Sequence, residues 1–296
     1  MADRERMPYI GISGVSGAHQ QRNLELLWEG LGLYERRNLL LGVKAVHSNQ
    51  WAETPNKYGT KWYPLGEQAF ETALLPKAES YGAAQMYFSP EAIDADPNYP
   101  RAFVDRTLQR GRRWINAVQF DMLPYDQSDT RVWRDLFAHI HETRHEVIVQ
   151  CHGRAMKAGP EQAIEQLSDL GPVDYILFDA SHGKGVEMDP TALLPFLEAA
   201  HRDKTLTKNR TGFGVAGGLN TENVTKHLPS ILSEFPQTSW DAEGNLHPRP
   251  LKVTSETGEE SWITQDHGAL NVGLAWWYMQ ASAKVIRDAD KLSNTN

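Results

Sequence analysis

Phe213-Gly-Val-Ala-Gly-Gly-Leu-Asn-Thr-Glu-Asn-Val224 is the stretch that decides the architecture. It reads as a short apolar strand, a glycine turn and the first turn of a helix. Gly217 and Gly218 let the backbone bend sharply and present N–H groups. Asn220 or Thr221 supplies a side-chain cap for a helix beginning near Glu222. A helix N-terminus behind such a turn is a ready anion seat. A strand running directly into a helix is also half of a parallel β/α unit, so the next question is how often the unit recurs.

Outward from this stretch, short apolar runs alternate with longer amphipathic ones, which signals parallel β/α units. Strands are expected at Tyr9–Ser13, Leu39–Val46, Gly82–Phe88, Ala117–Asp121, Glu146–His152, Val173–Asp179, Gly212–Ala216 and Thr238–Glu243, eight in all. Helices are expected between them, at Arg131–Thr143, Glu161–Leu170 and Thr191–Arg202 among others. A closing helix, Leu270–Lys291, repeats Leu274, Tyr278, Ala281 and Val285 at helical spacing. Eight such units in 296 residues match one (β/α)8 TIM barrel, an α/β fold, with residues 1–296 as a single domain.

Two segments exceed a minimal barrel: Asn49–Ser80 after strand two and His247–Asp266 after strand eight. The first carries Trp51, Tyr58, Trp62 and Tyr63 and a candidate helix at Glu67–Leu75. Both follow strand C-terminal ends, the face on which barrels carry their active sites, so they are expected to be insertions near the site.

Composition narrows the function. The net charge is -8, with 30 basic against 38 acidic residues, which leaves no electrostatic footprint for nucleic acid. The one cysteine, Cys151, excludes an intrachain disulfide and a cysteine-based zinc cluster. The charged start MADRERMPYIG is unlike a signal peptide, and no apolar stretch approaches a membrane span. A cytoplasmic protein with a small-molecule partner is expected, with no nucleic acid or membrane partner; the oligomeric state is open.

Polar residues collect at the expected strand ends: Ser13-Gly14 on strand one, His47 near the end of strand two, Gln119 and Asp121 on strand four, Gln150 and His152 on strand five. Strand six ends in Asp179 with His182 beyond it, and strand eight contributes Asp241 and Glu243. A spacing of two puts both members of a pair on one side of a strand. Barrel interiors are normally filled by Val, Ile and Leu, so polar groups in this number point to a ligand site. Asp121, His152, Asp179 and Asp241 are also types that ligate a divalent metal, but no tight spacing motif accompanies them, and no metal or cofactor is assigned. Cys151 lies beside His152 and is expected to face the helices as a packed thiol. The loop His182-Gly183-Lys184-Gly185 adds a flexible turn with a cation near the mouth.

These motifs resemble those of phosphoribosylanthranilate isomerases. That family carries a strand-six Asp before a glycine-rich GxGK-type loop, matched by Phe178-Asp179-Ala-Ser-His-Gly-Lys-Gly185, and AGGL-x-x-E/D-N-V after strand seven, matched by Ala216–Val224. Ala117–Asp121, Gly11–Ser13-Gly14 and Ser239–Gly244 are fainter echoes of its strand-four, strand-one and strand-eight motifs. The resemblance implies acid/base conversion of an aminoaldose phosphate to an aminoketose, with Asp179 as acid and Ser13 at the place of the family's cysteine base. It implies a phosphate seat at Gly183, Lys184, Gly185, Gly217, Gly218, Asn220 and Gly244. A serine is a far poorer base than a thiol, and Glu243 replaces a serine of the phosphate loop. The substitutions are carboxylates, so Glu243 or Asp121 becomes a candidate base, with Asp241, His152 and His182 as further proton carriers and Gln119 and Gln150 as ligand contacts. The reading is an isomerase-like barrel acting on a ribose-phosphate-type ligand. The alternative is a diverged hydrolase or lyase using its carboxylates on another sugar or nucleoside, and a non-catalytic binding barrel is a third.

Overall fold

The computed structural model describes residues 6–46, 80–88, 90–111, 114–121, 130–179, 187–247, 251–254, 260–263 and 269–293. In chain order the elements are β1 (Tyr9–Ser13), α1 (Ala18–Glu29), β2 (Asn38–Val46), β3 (Ser80–Tyr87), α2 (Pro90–Ala95), α3 (Tyr99–Gly111), β4 (Ala117–Phe120), α4 (Thr130–Glu142) and β5 (Glu146–His152). There follow α5 (Arg154–Lys157), α6 (Pro160–Asp169), β6 (Tyr175–Asp179), α7 (Pro190–Arg202), α8 (Lys204–Asn209), β7 (Gly212–Ala216), α9 (Thr221–Glu234) and β8 (Ser239–Ala242). A one-turn 3-10 helix (Gly244–Leu246), the strands β9 (Leu251–Thr254) and β10 (Glu260–Ile263), and α10 (Val272–Ser293) complete the order.

Strands β1 to β8 pair in parallel in sequence order, and β8 returns to β1, closing an eight-stranded (β/α)8 barrel. The expected strands are all present, with ends shifted by a few residues. Strand six starts at Tyr175 rather than Val173; just before it the Asp174 carboxylate accepts from the Val147 N–H at 2.6 Å and from His141. The closing helix is present, with Tyr278, Ala281 and Val285 of its apolar repeat buried and Leu274 39% exposed. Within the extra segment after β8, β9 and β10 pair as an antiparallel hairpin. The segment 47–79, with its candidate helix at Glu67–Leu75, lies outside the described residues.

Alternation divides every strand between two environments. Outward residues such as Ile10, Ile12, Val118, Phe120, Val149, Cys151, Phe178 and Trp240 pack under the helices in one large core. Cys151 therefore faces the helix layer as expected, and burial pushes its thiol up to about 12. Inward, a smaller cluster of Tyr9, Leu40, Ala83, Ala117, Ile148 and Tyr175 fills the lower barrel, with the Tyr9 and Tyr175 rings edge to face at 5.2 Å. Beneath it Arg6 pairs with Glu146 and Asp174, and the Tyr81 hydroxyl donates to Glu146.

On β1 and β2 the inward positions above this cluster set a glycine below a polar side chain, Gly11 below Ser13 and Gly42 below Lys44. A Cβ at Gly42 would lie 2.9 Å from Ser13 Oγ and 3.0 Å from Gln85 Cδ; one at Gly11 would lie 2.6 Å from Asp241 Oδ1. These glycines are the space into which neighbouring polar groups reach. Gly11→Ala is therefore expected to cost about 1–3 kcal/mol of stability as an overpacking change, read as a lower urea midpoint. An unchanged midpoint would mean that the interior has slack at Asp241.

Candidate active site

The inward rows of the strands end together at the C-terminal mouth. β1 ends in Ser13, β2 carries Gly42 and Lys44, β3 Gln85 and Tyr87, and β4 Gln119 with Asp121 just beyond it. β5 ends in Gln150 and His152, β6 in Asp179, and β8 carries Asp241 with Glu243 just beyond. Ser13, Gln85, Gln119, Asp121, Asp179 and Asp241 are all buried. The spacing-of-two reading thus puts these side chains on the interior face.

Their hydrogen bonds form two groups on two sides of the mouth, which meet at Asp121. In the first, Gln85 Nε2 donates to Ser13 Oγ at 2.7 Å, and Ser13 Oγ donates to both Asp241 oxygens at 2.9 and 3.0 Å. Gln119 Nε2 donates to Asp121 Oδ1 at 3.0 Å, and the Gln119 side chain also helps to hold down the Asp241 carboxyl, so one amide acts on both acids. Tyr87 likewise helps to hold down the Asp121 carboxyl. Lys44 Nζ pairs with Glu243 and lies 5.1 Å from the centroid of the Tyr87 ring. In the second group, Gln150 Nε2 donates to Asp179 Oδ2 at 2.8 Å, and His152, opposite Asp179 in the ladder, donates from Nε2 to the Asp121 backbone carbonyl.

Desolvation dominates the electrostatics. Burial raises the Asp241 carboxyl to about 8, and the negative charges of Glu243 and Asp121 add to the rise, while the bonds from Ser13 and Gln119 work against it. Asp121 is raised less, to about 6: burial pushes it up and Glu243 adds, but the Tyr87 and Gln119 bonds and the Lys44 charge hold it down. Two acids in one network are thereby separated, and at neutral pH one retains its proton while the other is largely ionised.

The turn after β7 has the geometry its glycines require, with φ of 117° at Gly217 and 59° at Gly218. Asn220 caps α9, accepting from the N–H groups of Glu222 and Asn223, and Asn223 reciprocates by accepting from the Asn220 N–H at 2.7 Å. Asn223 and Asn245 both donate to the Gly218 carbonyl, at 2.7 and 2.5 Å, which ties the turn after β7 to the 3-10 helix beyond β8. Gly244 opens that 3-10 helix. His182, Gly183, Lys184 and Gly185 lie outside the described residues.

Lys44, Gln85, Tyr87 and His247 belong to the site although no strand-end motif marks them. His247 Nε2 donates to the Ser13 carbonyl at 3.3 Å, and its ring fills the place a Cβ of Gly14 would take. The signal for Lys44 and Gln85 was their parity: each shares the inward row of its strand with a small or apolar residue two positions earlier. Among the described residues no group of three or more His, Cys, Asp or Glu is arranged to hold a metal, and no helix is long and apolar enough to cross a membrane.

No family model and no curated relative matches the sequence. Solved structures do match the fold. The catalytic domain of a hyperthermophilic chitinase from Pyrococcus furiosus superposes with a TM-score of 0.55 at 12% identity, covering 96% of this chain and 97% of that one. A citrate lyase from Burkholderia xenovorans LB400 superposes at 0.51 and 11% identity, covering 96% of this chain and 78% of that one. Both are barrel enzymes, and at these identities the likeness shows the fold alone.

The raised acid has a consequence for stability. In the folded chain Asp241 keeps its proton up to about 8, against an ordinary value of 3.8. Its contribution is full below the ordinary value and is lost as pH rises through the folded one. Asp241→Asn cannot ionise, so its melting temperature relative to wild type should climb from pH 5 to pH 8 and level off above. A difference that stays flat with pH would show Asp241 to be ionised throughout.

Proposed function

We propose that this barrel is an enzyme performing acid/base chemistry on a sugar- or nucleoside-type ligand, a hydrolase or lyase acting at the anomeric carbon. The observation that carries the reading is the pair Asp121 and Asp241, both buried at the mouth, each bonded by its own neighbour and tuned apart. An ionised Asp121 accepts a proton from attacking water or from a ligand hydroxyl, and a protonated Asp241 donates one to the departing oxygen or nitrogen. Ser13, whose proton is directed at Asp241, positions the acid and is not the base. Asp179, oriented by Gln150, together with His152, supports contacts to ligand hydroxyls on the opposite side of the mouth.

A second reading, the aminoaldose–aminoketose isomerase, draws support from the turn after β7. Gly217 and Gly218 adopt left-handed conformations ahead of a capped helix, and a short extra helix follows β8, the layout that barrels use for phosphate. In that reading Asp179 is the acid and a carboxylate of the first group the base.

The two readings separate in one set of assays. Release of p-nitrophenol from aryl glycosides, or of base from nucleosides, should show a rate plateau between about pH 6 and about pH 8, because the base must be ionised and the acid protonated. Asp121→Asn and Asp241→Asn should each lower that rate by roughly 10²-fold or more. Consumption of phosphoribosylanthranilate, followed by its fluorescence, that is lost in Asp179→Asn but retained in Asp241→Asn would overturn the first reading in favour of the second.

A further inference from the structure

Glu243 stands where the loop after β8 begins. Its backbone carbonyl accepts from the Leu246 N–H at 2.8 Å, so it is the leading residue of the 3-10 helix Gly244–Leu246. The next residue but one, Asn245, binds the Gly218 carbonyl, which holds this helix against the glycine turn of β7. In barrels a ligand phosphate commonly rests in this region, on the loops after strands seven and eight and the start of a short extra helix. Here a carboxylate leads that helix, and it is neutralised from within the protein. Lys44 rises from the inward row of β2 and crosses the end of β1 to reach it, since β1 lies between β8 and β2 in the closed sheet. The lysine side chain is 5% exposed and the glutamate 28%, so the cation is deep and the carboxylate faces the opening.

We infer that the Glu243 carboxylate, with Lys44 as its counter-ion, holds the position that a ligand phosphate would need, so that the mouth selects an unphosphorylated sugar or nucleoside and rejects the corresponding phosphomonoester. A phosphate dianion entering beside Glu243 meets a like charge in a partly desolvated place, and the cation that would receive it is already paired. A neutral hydroxyl at the same point can donate to the carboxylate and leaves the ion pair intact. The inference rests on the proposed function only in taking the strand-end mouth as the ligand site, and it is read by binding, so the absence of turnover does not bear on it.

The test is titration calorimetry of the full chain with ribose, ribose 5-phosphate and inorganic phosphate. The wild type should bind ribose 5-phosphate no more tightly than ribose. E243S, which removes the carboxylate and releases Lys44 from it, should gain at least about tenfold in affinity for ribose 5-phosphate, in line with the removal of one unit-charge repulsion. The gain should disappear in E243S/K44M. A wild type that binds ribose 5-phosphate tenfold more tightly than ribose overturns the proposal without any variant. So does a folded E243S that gains nothing. E243Q, which keeps the side-chain shape and drops the charge, takes the place of E243S if the serine variant does not fold.

Discussion

Taking a carboxylate out of water is among the most costly things a fold can do, and this barrel does it at Asp121, Asp179 and Asp241 on three of its strand ends. Each therefore needs donors aimed at it. Gln119 serves Asp121, Ser13 serves Asp241, and Gln150 serves Asp179. For Asp241 these donors do not fully offset burial and the nearby charges, and the group responds by keeping its proton. The chemistry of the mouth follows from that imbalance.

The same constraint explains the interior of the upper barrel. A closed ring of eight strands encloses room for side chains alone, so a polar group that must reach a partner across the ring needs a neighbour that yields space. Gly11 yields it to Asp241, and Gly42 to Ser13 and Gln85. The outward face obeys the ordinary rule, with branched and aromatic residues packed beneath the helices. The barrel thus separates two tasks by strand parity: the outer rows hold it together, and the upper inner rows carry charge.

Glu243 and Lys44 extend the logic from one strand to the whole mouth. Neither residue is informative by itself, because a glutamate in a loop and a lysine in a strand are both commonplace. Paired across β1, they set the charge of the barrel opening and join the end of β8 to β2.

The eight strands, the glycine turn after β7, the cap at Asn220 and the outward aim of Cys151 were legible from residue pattern, because alternation, glycine chemistry and capping are local properties of the chain. That Gln119 with Asp121, and Gln150 with His152, share one side of their strands was legible for the same reason, but not that this side faces inward. The exposure of Leu274 was not legible, because helical spacing gives a stripe but not the point at which its neighbours end. What tertiary structure alone decided is which polar groups meet. Ser13 and Asp241 are 228 residues apart, and Lys44 and Glu243 are 199 apart. Closing the ring makes them partners, and burial inside it raises the Asp241 carboxyl, since both contact and desolvation are properties of the assembled barrel.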